Sequence, residues 1–146
     1  MRRMSVIESS LLAACIVIIA AVIIILVNPA RQIAQANNDK RQQDVELIAS
    51  ALAEYSLDHS ESFPAFFSAS STRGICRSSE VDISCRNGID ISELIRESYI
   101  QAVPVDPSVE VDAAETGYVV QKMTDSRHFI VAAPHAELGE TIEARR

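Results

Sequence analysis

The sequence has no tryptophan, few aromatic residues of any kind, and little glycine or proline. Aromatic side chains make up 5% of the 146 residues, and there are four glycines and five prolines. So few glycines and prolines exclude a disordered, low-complexity chain, which is typically enriched in such residues. The scarcity of glycine also argues against a glycine-rich phosphate-binding loop.

The chain is also poor in basic residues outside its N-terminus. Residues 31–146 contain 11 basic and 19 acidic side chains, a net charge of −8. Affinity for phosphate comes mainly from lysine and arginine, so we expect no direct binding to nucleic acid. The three histidines share no spacing with the cysteines, and no G-x-S-x-G motif occurs. We therefore predict that the protein is not an enzyme.

Aliphatic residues, by contrast, are abundant and locally concentrated. Hydrophobic residues make up 48% of the chain, and the run Leu11–Val27 is uninterrupted. Because backbone groups in lipid must be satisfied within their own segment, this run is predicted to be a helix about 26 Å long. Arg2 and Arg3 precede it, so the positive-inside rule places the C-terminal body outside the membrane.

Three interpretations of this segment are open. The first is a cleaved secretory signal, although Asn28-Pro29-Ala30 offers no A-x-A-like cleavage site. The second is a plain membrane anchor. The third depends on Glu8, three residues before the run, because a carboxylate at mid-membrane costs about 2.5–3.5 kcal/mol and less near the edge. Glu8 either reaches water at the interface or has a cationic partner in the membrane.

The start Met-Ser-Val-Ile-Glu at residues 4–8, followed by the apolar run, resembles the N-terminal segment of type IV pilins and type II secretion pseudopilins. Further similarities lie at residues 28–32, 99–100, 103–107 and 117–118. The resemblance implies a leader at residues 1–3 and a transmembrane and assembly helix at 4–28. It also implies an amphipathic half of the same helix at 29–62 and a small extracytoplasmic globular domain at 63–146.

The same resemblance implies a structural subunit of a filament assembled through the N-terminal helix. A membrane peptidase would cut after Arg3, and the new amino group of Met4 would be methylated. Glu8 would then neutralise the amino group of a neighbouring subunit, as a desolvated charge requires. Arg3 stands where the family has glycine, so this cleavage site departs from the family pattern.

The implied partners are further copies of the chain, other pilins, the inner-membrane assembly platform, the leader peptidase and methyltransferase, and the lipid bilayer. Before assembly the protein would span the cytoplasmic membrane once, with its C-terminal domain outside. After assembly it would belong to a cell-surface or periplasmic filament. The alternative is a membrane-tethered binding or adaptor domain that does not polymerise.

Helical periodicity resumes after Pro29, which we expect to bend the helix rather than end it. The apolar positions recur at spacings of three and four, at Ile33, Val45, Ile48, Leu52 and Tyr55. Between Gln35 and Asp44 the chain is polar nearly all round. Such a stretch is typical of a solvated connector or of a helix covered by its neighbours in an assembly.

The remaining residues predict an α+β fold, with a small antiparallel sheet packed on the long helix. Residues 117–123 and 127–133 read as a hairpin and 138–143 as an edge strand. The candidate inward residues are Tyr118, Val120, Phe129 and Val131. Asp90 or Ser92 is expected to cap a short helix. Phe63, Phe66 and Phe67 are expected to pack against the long helix or, alternatively, to bind a partner.

Two further features concern cross-links and ions. Cys76 and Cys85 are predicted to form a disulfide outside the membrane, worth about 2–3 kcal/mol in the chain-entropy model. Asp106, Glu110 and Asp112 lie in an acidic loop. The resemblance to major pseudopilins, which bind calcium in a C-terminal loop, suggests these residues as an alternative calcium site. A solvated acidic loop is the preferred interpretation, and we expect no cofactor.

Overall fold

A computed structural model of the protein describes residues 5–26, 28–59, 71–77, 85, 88–110, 113–123 and 128–146. The chain divides into two compact units, Met1–Ile33 and Ala34–Arg146. The predictions for the leader at residues 1–3, for Met4, for Asp112 and for the three phenylalanines between residues 63 and 67 lie outside the described residues.

The first unit contains helix α1, Val6–Leu26. Its 21 residues make a rod about 32 Å long, enough to cross a hydrocarbon core of about 30 Å. Within the described residues, the helical stretch that begins with α1 is the one long and apolar enough to span a membrane. The prediction of a spanning helix near the N-terminus is therefore confirmed in length and composition.

Helix α2, Pro29–Asp58, starts with a recognisable cap. Pro29 occupies its first position, where the missing N–H costs nothing and the fixed φ suits a helix. The Asn28 side chain accepts a hydrogen bond from the Arg31 backbone N–H at 3.3 Å. The Asn28-Pro29 pair thus serves as the N-terminal signal of α2.

The buried face of α2 contains the predicted apolar positions Val45, Ile48, Leu52 and Tyr55, but its N-terminal part differs from the prediction. Ile33 is 63% exposed, and burial begins at Ala34 instead. It then passes through Asn38 and Arg41 before it reaches the apolar positions from Val45 onward. The interpretation of residues 35–44 as a solvated or assembly-covered connector is therefore wrong for this face, because the chain's own second unit covers it.

The second unit contains a four-stranded antiparallel sheet in the order β1-β2-β3-β4. The strands are β1, Arg73–Cys76; β2, Glu115–Lys122; β3, Phe129–Ala132; and β4, Glu143–Arg145. The predicted hairpin is confirmed as β2 and β3, in which Val120 lies opposite Val131. The four candidate inward residues are all at most 1% exposed and share one core with the C-terminal part of α2. The α+β prediction is confirmed.

Two strands differ from what the sequence predicted. The edge strand predicted at 138–143 begins only at Glu143, because Leu138 and Gly139 have φ of 59° and 73°. This left-handed conformation turns the chain and cannot continue a strand. Strand β1 was not predicted at all, since Arg-Gly-Ile-Cys is short and carries no alternating pattern.

Helix α3 is short, Ser92–Arg96, and its start also differs from the prediction. The cap position is Ile91, and no side chain caps the helix there. Asp90 instead accepts hydrogen bonds from the N–H and the hydroxyl of Ser92, at 2.8 and 3.0 Å. Leu94 fixes the helix by complete burial in the common core.

Candidate functional site

The candidate assembly residue Glu8 lies in the first turn of α1 and is exposed. Its Oε2 accepts a hydrogen bond from the backbone N–H of Ser5 at 2.8 Å. Ser5 immediately precedes the helix, so the Ser5-x-x-Glu8 spacing forms one arm of a capping box. A negative charge in the first turn also interacts favourably with the helix dipole. Glu8 therefore has a local role within its own helix.

This local role leaves Glu8 able to bind a cation. An ionised carboxylate has about four acceptor sites, and the cap uses one of them. Charge-assisted bonds from an ammonium group to a carboxylate are short and strong. The geometry is thus compatible with a second partner at Glu8, while Arg3 and Met4 lie outside the described residues.

The surface of α1 surrounding Glu8 is apolar and uncovered. From Ser5 to Ile24 every side chain is exposed, and the large aliphatic ones among these are 48–84% exposed. A contiguous apolar surface of this kind marks a contact with lipid or with another protein. The apolar surface of α1, which the sequence predicts to contact a membrane or other subunits, is therefore exposed in the single chain.

The predicted disulfide between Cys76 and Cys85 is present, with Cα atoms 5.9 Å apart. Cys76 ends β1, and its N–H donates to the Ile89 carbonyl at 2.8 Å. A Cβ placed on Gly88 would lie 2.5 and 2.6 Å from the two sulfurs. The cross-link, the edge of the sheet and this glycine therefore form one packed unit.

The prediction of a solvated acidic loop is wrong for Asp106, which lies in the interior, while Asp112 lies outside the described residues. Asp106 is completely buried, and its two oxygens accept hydrogen bonds from Nε and Nη2 of Arg41 at 2.8 and 3.1 Å. One of them also accepts from the N–H and hydroxyl of Ser108. Glu110 is exposed, and the described residues contain no group of three acidic, His or Cys side chains placed to hold a metal. Asp106 is thus an ion-pair partner rather than an open ligand.

Arg41 is the centre of the most extensive polar cluster among the described residues. Its Nη1 donates to Glu137 at 2.8 Å and to the Asn38 side-chain oxygen at 2.9 Å. The Asn38 side-chain NH2 donates to the Glu137 carbonyl, and the Asn38 side-chain oxygen accepts from the Glu137 backbone N–H, each at 2.9 Å. We call Asn38, Arg41, Asp106 and Glu137 the arginine cluster.

The buried charges of the arginine cluster are paired: Arg41 and Asp106 neutralise each other in the interior, and Arg41 also pairs with the partly exposed Glu137. Hydrogen bonds to Asp106 outweigh burial and raise the pKa of Arg41 above its ordinary value. Burial alone would raise the pKa of Asp106, but the bonds from Arg41 and Ser108 together hold it below its usual value. Bonds from Arg41 and Asn37 lower the pKa of Glu137. The cluster therefore fixes two distant loops on α2, with all three groups ionised near neutral pH.

Sequence reasoning did not find this cluster. Asp106 and Glu137 lie 65 and 96 residues from Arg41, and nothing in the local pattern pairs them. The sequence did contain one indication that Arg41 is buried, because Ala34, Arg41 and Ile48 are spaced seven residues apart. That spacing places Arg41 on the face that the apolar residues bury.

No family model, no curated protein and no solved structure matches this chain. The resemblance to type IV pilins and pseudopilins therefore rests on the sequence motifs at residues 4–8 and further along the chain.

Proposed function

We propose that this chain is a structural subunit of a type IV pilus-like or type II secretion pseudopilus filament, assembled through α1. The observation that carries the proposal is the combination found in α1: a helix of membrane-spanning length, apolar on every side, with one carboxylate in its first turn. Lipid would cover this surface before assembly, and the α1 helices of other copies would cover it afterwards.

Glu8 would supply the directional contact in this assembly. Leaving a lone carboxylate in an apolar environment is costly, whereas pairing it with a cation offsets that cost. The proposed cation is the amino group of Met4 in a neighbouring copy, formed by cleavage after Arg3 and then methylated. This step requires a leader peptidase and methyltransferase that accept arginine where the family has glycine.

The second unit would form the outer part of the filament, outside the cytoplasmic membrane. The Cys76–Cys85 disulfide supports this placement, because such bonds persist in oxidising compartments. Arg2 and Arg3 support it as well, since positive residues tend to remain on the cytoplasmic side. The protein would act by binding its own copies, other pilins and the assembly platform, with no catalytic step of its own.

The tethered, non-polymerising adaptor remains the second candidate, and one contact favours it. The hydrogen bond from Ser5 to Glu8 gives the carboxylate a function in an isolated anchor. Under this alternative, Glu8 would need no intermolecular partner.

The variant Glu8→Gln separates the two candidates. Its amide oxygen can still accept the Ser5 N–H, so the cap and membrane insertion should persist while the charge is lost. We expect filaments recovered from cells to fall at least tenfold, with membrane-inserted protein unchanged. Ser5→Ala is the matched control, because it retains Glu8 and should assemble normally. Undiminished filaments from Glu8→Gln would contradict the proposal.

Mass spectrometry of the mature N-terminus gives an independent test. A polymerising subunit should begin at a methylated Met4. An intact Met1 in protein that forms no filaments would support the tethered adaptor, and a cut beyond Val27 would support a secretory signal.

A further inference from the structure

His59 follows the last residue of α2, and both of its ring nitrogens face oxygen atoms. Nδ1 lies 3.0 Å from the carbonyl oxygen of Tyr55, and Nε2 lies 3.4 Å from Oε2 of Glu97. The imidazole also stacks on the Tyr55 ring, with centroids 4.0 Å apart and planes at 11°. The stacking fixes the ring so that each nitrogen keeps its oxygen partner.

Both oxygen partners can only accept hydrogen bonds, which makes the contact sensitive to protonation. A neutral imidazole carries one N–H, so in either tautomer the other nitrogen directs a lone pair at an acceptor oxygen. The imidazolium carries two N–H groups, so it can donate to the Tyr55 carbonyl while its positive charge attracts the Glu97 carboxylate. A cation here also lies at the C-terminal end of a helix, where the helix dipole favours positive charge.

We propose that His59 is a pH-sensitive clasp that fastens the α3 turn, residues Ser92–Tyr99, to the C-terminal end of α2. On acidification the imidazole takes up one proton from water, and its contact with Glu97 becomes an ion pair. On return to neutral pH the proton is released and the contact weakens. This inference is independent of the proposed filament function.

Among the described residues, the ionisable groups near His59 are Tyr55 and Asp58 on α2, and Glu93, Arg96, Glu97 and Tyr99 on the α3 turn. Arg96 is the one cation among these groups, and it pairs with Glu93 at 2.8 Å. The remaining carboxylates, Asp58 and Glu97, leave a local excess of negative charge.

A second contact between the same two elements does not titrate near neutrality. The Tyr99 hydroxyl donates to Asp58 at 2.7 Å, and this bond raises the pKa of Tyr99 to about 12. The Tyr99–Asp58 tie is therefore present at every pH that changes the charge of a histidine. It keeps Glu97 close to His59 in both states of the clasp.

The α3 turn is suited to respond to such a contact. The helix has only five residues, too few to be stable without tertiary contacts. Ser98 adopts a left-handed φ of 70°, a conformation that is unfavourable for a residue with a side chain. The backbone N–H of Ser98 donates to the Ile95 carbonyl, and that of Tyr99 donates to the Leu94 carbonyl. Loosening the clasp should therefore make these two hydrogen bonds open more often.

Hydrogen exchange of the full chain in detergent micelles tests the clasp. The protection of the Ser98 and Tyr99 amides, corrected for intrinsic exchange at each pH, should be about two- to fivefold higher at pH 5.5 than at 7.5. His59→Gln and Glu97→Gln should each abolish this difference. His135→Gln, which removes an exposed histidine elsewhere, should preserve it.

The inference is overturned if wild-type protection is the same at both pH values, or if His59→Gln retains the wild-type difference. Should His59→Gln fail to fold, Glu97→Gln decides the matter, because Glu97 is a surface residue whose loss spares the core. Filament formation does not enter the measurement, so the clasp and the proposed function can fail separately.

Discussion

In the N-terminal half of the buried part of α2, residues Ala34–Asp44, the buried side chains beyond Ala34 are the polar ones of Asn38 and Arg41. In the C-terminal half, Val45–Tyr55, they are aliphatic or aromatic. The first half meets its partners through the hydrogen bonds and ion pairs of the arginine cluster. The second half meets the sheet and α3 through one hydrophobic core.

The difference shows that two kinds of contact contribute differently to the packing of one helix. Hydrophobic burial is non-directional and roughly proportional to area, so the C-terminal half supplies most of the favourable free energy. Hydrogen bonds to fixed donors are directional, so the arginine cluster sets the position of the two loops along α2. A buried ion pair adds little net stability while complete, but it is costly to break.

The largest effect is expected from Arg41→Met, which leaves Asp106 buried without its cation. We expect a loss of about 3–5 kcal/mol in the free energy of unfolding. Guanidinium unfolding followed by tyrosine fluorescence measures it, since all three tyrosines lie in the second unit. Arg31→Met, at an exposed position of the same helix, is the control and should change little. A loss below 1 kcal/mol would show that the cluster is dispensable.

Leu52→Ala tests the apolar half by creating a cavity at a completely buried position. The expected loss is about 2–5 kcal/mol, with the exact cost set by how far the surroundings relax. Leu47→Ala on the same helix removes the same atoms from a side chain that is 47% exposed, and should cost much less. Equal losses for the two variants in the same unfolding assay would contradict the assigned buried face.

Asp106→Asn probes the charge in the polar half and its dependence on pH. The amide can still accept from Arg41, so at pH 7 we expect a loss of about 1.5–3 kcal/mol. The folded-state pKa of Asp106 lies below its ordinary value, so its contribution is complete above about pH 4 and disappears as pH falls through the lowered pKa.

The stability of wild type and Asp106→Asn should therefore converge in acid. Parallel unfolding curves at pH 7, 5, 4 and 3 would display this convergence. A constant difference down to pH 3 and below, while the folded state persists, would mean that the ionised form of Asp106 is not what stabilises the fold.

The smallest effect is expected at the boundary between the two halves. The Tyr118 hydroxyl, within the core face of β2, donates to Asp44 at 2.7 Å. Tyr118→Phe should cost about 0.5–1.5 kcal/mol, because one hydrogen bond is lost while the ring remains packed. A double-mutant cycle with Asp44→Ala should give a coupling of similar size. Additive losses would show that the two side chains do not interact.

Local patterns in the sequence predicted the elements whose contacts are local or strictly periodic. The β2–β3 hairpin followed from alternation that places Tyr118 and Val131 on one face. The spanning helix followed from an unbroken apolar run, and the disulfide from two cysteines within one loop. Each of these signals lies within about 20 residues of chain, where spacing is informative.

Features set by distant partners could not be predicted in the same way. The sequence predicted that residues 35–44, which include Arg41, form a solvated connector or are covered by neighbours in an assembly, because the carboxylates that pair with Arg41 come from the distant residues 106 and 137. The late start of β4 depends on the turn at Leu138, beside Glu137, which Asn38 bonds from α2. At the candidate assembly site, the Ser5–Glu8 spacing alone could have identified the cap. Cleavage at Arg3 stays a prediction.

The packing of Gly88 against both sulfurs has an evolutionary consequence. Any side chain at this position would occupy space taken by the bonded pair of Cys76 and Cys85. Descendants of this sequence that keep both cysteines should be constrained to glycine here, whereas lineages that lose them are released to accept alanine or serine. Covariation among these three positions would thus record whether the oxidised bridge was under selection.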